Sequence, residues 1–375
     1  MPRLQPRANL PATRSFAVDE GAIMTTLYVT EPRSLVKKDG QTLIVNVPST
    51  DTDPSRKVSV PLHKITQVVI QGDSTLTTPA MIALMEQNTD ICFLSYHGMF
   101  RGRLAPADGK NGLLRLAQHR AHDDPPTALE LARRFIRGKL HNAKTLLLRT
   151  NRKRQLESIE AAARSLDNII KRVDELEGEY IPAENSSVPQ EGSTLGTLLG
   201  LEGAASAAYF GVFADLFHDD WGFHGRKRRP PTDPINALLS YGYTLLLNHA
   251  ASACQIVGFD PHIGFLHSTQ YGKPALALDI MEEFRAPIVD SVVLSVLNNG
   301  ILQHDDFDET LGAYHLRDKG RKRFLQKFEE RLNAEIKHPV FGYKASYRKC
   351  LELQVRLVSK WLMGDIPVYK PFSVR

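Results

Sequence analysis

The chain has 375 residues, 42% of them hydrophobic and 24% charged, an ordinary globular composition with enough length for two cores. Its formal net charge of +5 is a modest basic excess that fits a polyanionic partner without requiring one. No apolar run approaches the ~20 residues of a membrane span, and Cys92, Cys254 and Cys350 lie far apart with no CxxC spacing, which argues against a zinc site or a disulfide framework and for a reducing cytoplasm.

Residues 1–23 carry Arg3, Arg7 and Arg14 but no apolar h-region. They read as a leader of no assigned function, a disordered extension or an upstream read-through, rather than as a secretory signal. From Met24 the pattern turns β-rich. Strands are expected at Leu27–Thr30, Leu43–Val47, Lys57–Val60, Gln67–Ile70, Ile91–Ser95 and Gly102–Leu104, with a helix near Thr78–Gln87. Asp39-Gly40 between LVKK and QTLIV signals a hairpin, because glycine accepts positive φ. Strands at this spacing predict a small sandwich of two antiparallel layers.

Beyond Asn111 the pattern is helical. Thr127 with Glu130 reads as a capping box for a helix ending near Leu148. A second helix is expected from about Arg154 to Leu176 with Gly178 as its stop, followed by the polar loop Ile181–Gly192. A third, Ser193–Phe217, takes Ser193 or Thr194 as its cap. Its apolar stripe runs Leu195, Leu199, Ser206, Tyr209, Phe213, and Glu202 falls on it among small residues. A carboxylate on an inward face is costly unless partnered, so Glu202 needs a cation. Asp233 caps and Pro234 starts a helix that Gly258 ends. A last helix begins near Ala275 and is kinked or broken by Pro287. The fold class is therefore α+β: a small N-terminal β-sandwich-like domain at 24–108, then a larger all-α catalytic domain at 112–375.

The segment His267–Arg285 (HSTQYGKPALALDIMEEFR) gathers a histidine, a lysine and three carboxylates around that last helix start. Asp279, Glu282 and Glu283 stand at i, i+3 and i+4 and are expected on one side. Such carboxylates are more often a solvated helix face, and a lone histidine more often a satisfied loop residue. Together with Glu202 they make a hard donor set of the kind that holds Mg²⁺ or Mn²⁺. Cations cluster elsewhere: eleven Lys/Arg between Leu113 and Arg154 face only Asp123, Asp124 and Glu130, leaving an excess suited to phosphate. Arg226, Lys227, Arg228 and Arg229 form a second cluster and Arg317–Arg323 a third. Three such clusters beside an acidic centre point to DNA, since phosphate attraction supplies most non-specific affinity.

Leu201–Phe210 (LEGAASAAYF), Arg228–Tyr243 (RRPPTDPINALLSYGY) and Gly264–Arg285 occur in one order that resembles the CRISPR-associated spacer-acquisition integrase family, also described as the adaptation endonuclease. The likeness extends from about Met24 to near the C-terminus. It implies that Glu202, His267 and Glu282 hold the metal, with Asp279 a further active-site acid; glutamate stands at 282 where many members carry aspartate, so the division of labour between Asp279 and Glu282 stays open. It further implies joining of the 3′-hydroxyl ends of short foreign DNA fragments into the CRISPR repeat by transesterification. A homodimer and a small CRISPR-associated partner protein are implied in the same way. Lys227, Arg228 and Lys273 are candidates to neutralise phosphate, and Tyr209 to align a nucleotide. A structure-specific endonuclease acting on branched DNA shares every one of these residues, and a non-catalytic DNA-binding adaptor is the third reading.

Overall fold

The computed structural model describes residues 25–49, 54–106, 111–176 and 194–374. The expected leader, the Gly178 stop, the 181–192 loop and the Ser193 cap lie outside them. Contacts divide the chain into two compact units, one reaching to Ala105 and including Arg317–Glu329, the other formed by Pro106–Leu316 and Glu330–Arg375.

The first unit contains strands β1 (Thr25–Val29), β2 (Leu35–Asp39), β3 (Thr42–Val47), β4 (Arg56–Pro61), β5 (Ile65–Gln71) and β6 (Thr75–Leu76), helix α1 (Thr78–Glu86), and strands β7 (Asp90–Leu94) and β8 (Phe100–Leu104). They form two four-stranded sheets, ordered β1-β5-β7-β8 and β4-β3-β2-β6. Leu27, Val29, Val68, Ile70 and Ile91 of the first sheet and Val36, Leu43, Val45 and Val60 of the second bury one apolar cluster. The β2–β3 hairpin forms where Asp39-Gly40 predicts it, with Asp39 opposite Thr42 and Gly40 at φ 55°.

The two layers are mixed, not antiparallel. β1, β5 and β7 run parallel, as β2 and β6 do. The reason lies in the connections: α1 carries the chain over between β5 and β7, and a crossover of that length returns it in the same direction. Residues 317–329 belong to this unit because Phe324, Leu325 and Phe328 are fully buried, while Tyr28 Oη donates to Glu329 Oε1 at 2.9 Å and Arg321 stacks over Tyr96 at 4.5 Å.

The second unit is mainly helical: α2 (Gly112–Asp123), α3 (Pro125–Asn151), α4 (Glu157–Asp174), α5 (Thr194–Gly211), α6 (Pro234–Val257), α7 (Ala275–Glu282), α8 (Ser291–Asn298) and, after the hairpin β9 (Phe307–Thr310)–β10 (Ala313–Leu316), α9 (Asp318–Asn333), whose last turn lies here. A second hairpin, β11 (Glu335–Lys337)–β12 (Lys344–Ser346), precedes α10 (Tyr347–Leu362). These hairpins correct the all-α expectation; strands of three or four residues carry too little alternation to be seen in sequence. The cap of α3 is also corrected. Asp124 accepts from Thr127 N at 3.2 Å, since two prolines already fill the first helical positions, and Glu130 instead pairs with Arg134 at 2.6 Å. Asp233 caps α6 and Gly258 ends it in the left-handed region, as expected.

Among the described residues no helix is long and apolar enough to cross a membrane, and the three cysteines are buried without a disulfide.

Near the second hairpin, His338 is buried, and its Nδ1 accepts from Val340 N and Phe341 N at 3.2 and 3.3 Å. Burial lowers its pKa from the ordinary 6.5, so the folded protein resists a proton that the unfolded chain takes up. This contribution to stability is complete above about pH 6.5 and is lost as pH falls below it. In denaturant titrations between about pH 7 and pH 5, His338→Gln should flatten the loss of stability seen in the wild type; an unchanged slope assigns that loss to other groups.

Candidate active site

Five segments of the second unit converge on one point. Lys139 comes from the middle of α3, Glu202 from α5, His267 from the loop after α6, Asp279 and Glu282 from α7, and Arg285 from the turn beyond. Pro287 disrupts α7 as expected, through a π-helical segment, Arg285–Asp290, that joins α7 to α8. A proline cannot donate in the helix, and the wider turn absorbs the loss. The Pro287 carbonyl is taken by Arg331 Nε at 2.6 Å and Ser291 Oγ at 2.8 Å.

Asp279 is fully buried and works as an anchor. Its Oδ2 accepts from Phe265 N at 2.6 Å and Leu266 N at 3.0 Å; its Oδ1 accepts from His267 N at 2.9 Å and faces His267 Nδ1 at 2.7 Å. With Nδ1–H given to Asp279, the imidazole presents Nε2 toward Glu282 Oε1, 3.7 Å away. This is the arrangement that fixes the tautomer of a ligating histidine. Gly264 makes the close approach possible: a Cβ there would lie 2.8 Å from Asp279 Oδ2 and from the Ala275 carbonyl carbon.

Glu202 and Glu282 face a shared cation. Lys139 Nζ contacts Glu202 Oε1 and stands 2.9 Å from Glu282 Oε2, while Ser206 Oγ donates to Glu202 Oε1 at 2.9 Å. The other oxygen of Glu282 is held by Arg285 Nη2 at 2.9 Å. Burial alone would raise the Glu282 pKa, but Arg285, Lys139 and His267 outweigh it and hold the group down at about 2. Two carboxylates and two cations thus balance within a site whose Glu282 side chain is 4% exposed.

A cleft of about 700 Å³ opens from Lys139 and Glu282 and is lined by Tyr209, Phe210, Tyr243, Arg226 and Arg228. At its floor Asp290 accepts from Tyr209 Oη at 2.8 Å and Tyr243 Oη at 2.6 Å. Burial raises the Asp290 pKa against the pull of both hydroxyls, and burial beside Asp290 raises both tyrosines well above the usual range. Arg285 and Arg226 lie over the Tyr243 ring at 4.8 and 5.5 Å.

The sequence-derived residues sort accordingly. His267, Asp279 and Glu282 are linked directly, with Asp279 placed as the histidine's anchor, and Glu202 joins them through Lys139. Tyr209, Arg226 and Arg228 line the adjoining cleft. Arg226 is tied down, donating to Asn236 Oδ1 at 2.8 Å and Ser240 Oγ at 3.2 Å. Lys227 and Arg229 are exposed beside the cleft, and Lys273 is half-buried in the loop before α7.

Glu283 is a correction. It does not share the face of Asp279 and Glu282 but accepts from Tyr369 Oη and Phe372 N at 2.7 Å each, and from Gln354 Nε2 at 3.1 Å, clasping the C-terminal segment. Burial raises its pKa to about 8. The stripe of α5 also shifts: the buried residues are Leu195, Leu198, Leu201, Ala205 and Tyr209, and Glu202 borders this line beside Leu201. Lys139, Arg285, Tyr243 and Asp290 went unassigned in the sequence, where only the i, i+3 spacing of Glu282 and Arg285 gave a signal.

An α+β chain with a carboxylate–histidine centre beside a basic, aromatic cleft has close relatives. The profile of the family described as CRISPR associated protein Cas1 matches residues 27–330. The chain belongs to that family. It is 37% identical over 357 residues to a CRISPR-associated endonuclease Cas1 of Thermus thermophilus, covering 95% of this chain and 99% of that one. It is 37% identical over 355 residues to a Cas4 exonuclease/Cas1 endonuclease fusion of Geobacter sulfurreducens, of whose length the match spans 60%. A casposase bound to its integration product has a similar fold, with a TM-score of 0.78 at 24% identity over 92% of this chain and 93% of that one.

Proposed function

We propose that this protein is a metal-dependent DNA integrase and endonuclease of CRISPR adaptation, joining 3′-hydroxyl ends of short foreign fragments into the CRISPR repeat. The observation that carries the reading is the convergence of Glu202 and Glu282 on one ammonium, with His267 Nε2 3.7 Å from Glu282, at the head of a basic cleft. Two carboxylates already share one cation there, and the oriented Nε2 completes a donor set suited to Mg²⁺ or Mn²⁺. Glu202, Glu282 and His267 would hold that ion. When bound, it supplies Lewis-acid polarisation of the scissile phosphate and favours the alkoxide of the attacking hydroxyl.

The rest falls to the chain's own residues. Asp279 keeps His267 in the required tautomer. Arg285 and Arg228 present positive charge to the phosphate, and Tyr209 and Tyr243, held by Asp290, brace the cleft wall on which Arg285 and Arg226 rest. The attacking 3′-oxygen forms a new bond to phosphorus as the repeat strand's bridging oxygen leaves, so no serine or tyrosine nucleophile is needed. Water in place of the 3′-hydroxyl gives strand cleavage from the same site. Double-stranded DNA, a second copy of the chain and a small CRISPR-associated partner protein are the partners this function requires, and the cytoplasm of a prokaryote is its setting.

The test is strand joining. The protein, with and without the partner, is incubated with Mn²⁺, a labelled duplex bearing 3′-hydroxyls and a supercoiled repeat-containing plasmid. Label should pass to the plasmid with the wild type and fall at least ~100-fold with Glu202→Gln. Metal-dependent cutting without transfer identifies a structure-specific endonuclease instead. Binding indifferent to metal identifies an adaptor.

A further inference from the structure

We infer that Lys139 is a built-in counter-ion of the metal site: its ammonium holds the place between Glu202 and Glu282 and is displaced when a divalent cation enters. The inference rests on the proposed function, since it concerns the same carboxylates, but adds a residue and a competition that function does not require.

The geometry argues for competition. Lys139 Nζ contacts Glu202 Oε1 and lies 2.9 Å from Glu282 Oε2. Arg285 already holds the other oxygen of Glu282 at 2.9 Å, so Oε2 is the oxygen left to serve a metal, and Lys139 is on it. A divalent ion about 2.1 Å from these same oxygens would fall inside the contact distance of the ammonium. Both cannot occupy the position. Among the described residues no three His, Cys, Asp or Glu side chains stand gathered for a metal, and Lys139 is the group that stands between two of them.

Charge gives the same answer. Glu202 and Glu282 are balanced by Lys139 and Arg285, a neutral set. A divalent cation added with the ammonium in place would give these four groups two surplus positive charges, of which the anchored Asp279 offsets one, in a site where Lys139 is 17% and Arg285 15% exposed. Arg285 is fixed by Glu282 and by stacking on Tyr243. Lys139 sits at the cleft wall on a flexible four-carbon stem, and it is the one that can swing out. Its departure would add a positive charge to the cleft at the moment the site is loaded.

The full-length protein without DNA is titrated with Mn²⁺, free ion being followed by electron paramagnetic resonance, and its thermal unfolding is recorded in EDTA and in Mn²⁺. Lys139→Met should bind Mn²⁺ about tenfold more tightly than the wild type, melt earlier in EDTA, and gain more from Mn²⁺. Lys139→Gln, neutral and polar, should show the same ordering if the methionine variant folds poorly. Affinity unchanged or weakened in both variants overturns the competition alone. An Mn²⁺ affinity that Glu202→Gln leaves untouched, or no binding in any protein, overturns the competition together with the metal site itself.

Discussion

In metal-free buffer Glu282→Ala is expected to be about 3 kcal/mol less stable than the wild type, besides losing strand joining. Removing a carboxylate from an acidic cluster ordinarily relieves repulsion and stabilises. Here the sign reverses, because Glu282 is the common partner of Arg285 at 2.9 Å and Lys139 at 2.9 Å. Without it, two cations that are mostly shielded from water lose their shared contact, and Glu202 and the more distant Asp290 are left to answer them. Glu202 is 25% exposed and bonded to Lys139 and Ser206, so its removal leaves Lys139 with Glu282 and costs under about 1 kcal/mol. Urea denaturation of the two alanine variants in EDTA measures the contrast. Glu282→Ala equal to or more stable than the wild type would contradict the charge arrangement described here.

The carboxylates and the histidine were legible because each broke a local pattern. Glu202 read as a carboxylate on an apolar stripe, and His267 and Glu282 flanked a proline-led helix start. Glu283 was misplaced for a geometric reason. Consecutive helical residues point about 100° apart, and Glu283, still helical at φ −68° and ψ −20°, turns its side chain to the C-terminal segment while Glu282 faces Lys139. Lys139 was invisible as a site residue. It is one of eleven cations in its stretch and is 63 residues from Glu202 in sequence, and only the packing of α3 against α5 and α7 distinguishes it. In the first unit, strand positions followed from apolar alternation, but alternation carries no direction. The parallel pairs β1–β5–β7 depend on which connections cross over, and the two-residue β6 leaves no periodic trace. Arg317–Arg323 read as a basic cluster, yet the helix they open buries Phe324 and Phe328 in the first unit.

Asp279→Asn should destabilise the protein by about 3 kcal/mol and weaken Mn²⁺ binding some 10- to 100-fold, although Asp279 touches neither metal nor DNA in the proposed chemistry. The carboxylate is surrounded by donors alone: Phe265 N and Leu266 N on Oδ2, His267 N and the imidazole Nδ1 on Oδ1. Asparagine keeps one acceptor and turns the other end into a donor. If the amide nitrogen replaces Oδ2, it meets two backbone N–H groups in a fully buried site and the 264–267 segment lifts from α7. If it replaces Oδ1, it clashes with His267 N–H and makes Nδ1 an acceptor, which moves the ring hydrogen to Nε2 and removes the lone pair there that would ligate a metal. Neither orientation preserves both the loop and the tautomer. A longer Asp279→Glu chain offers no rescue, because Gly264 already allows the loop to approach as closely as a missing Cβ permits. Nitrogen-15 NMR of the His267 ring distinguishes the two routes, since a hydrogen moved to Nε2 changes both ring shifts. Wild-type stability with an unchanged tautomer would show that Asp279 does not position His267.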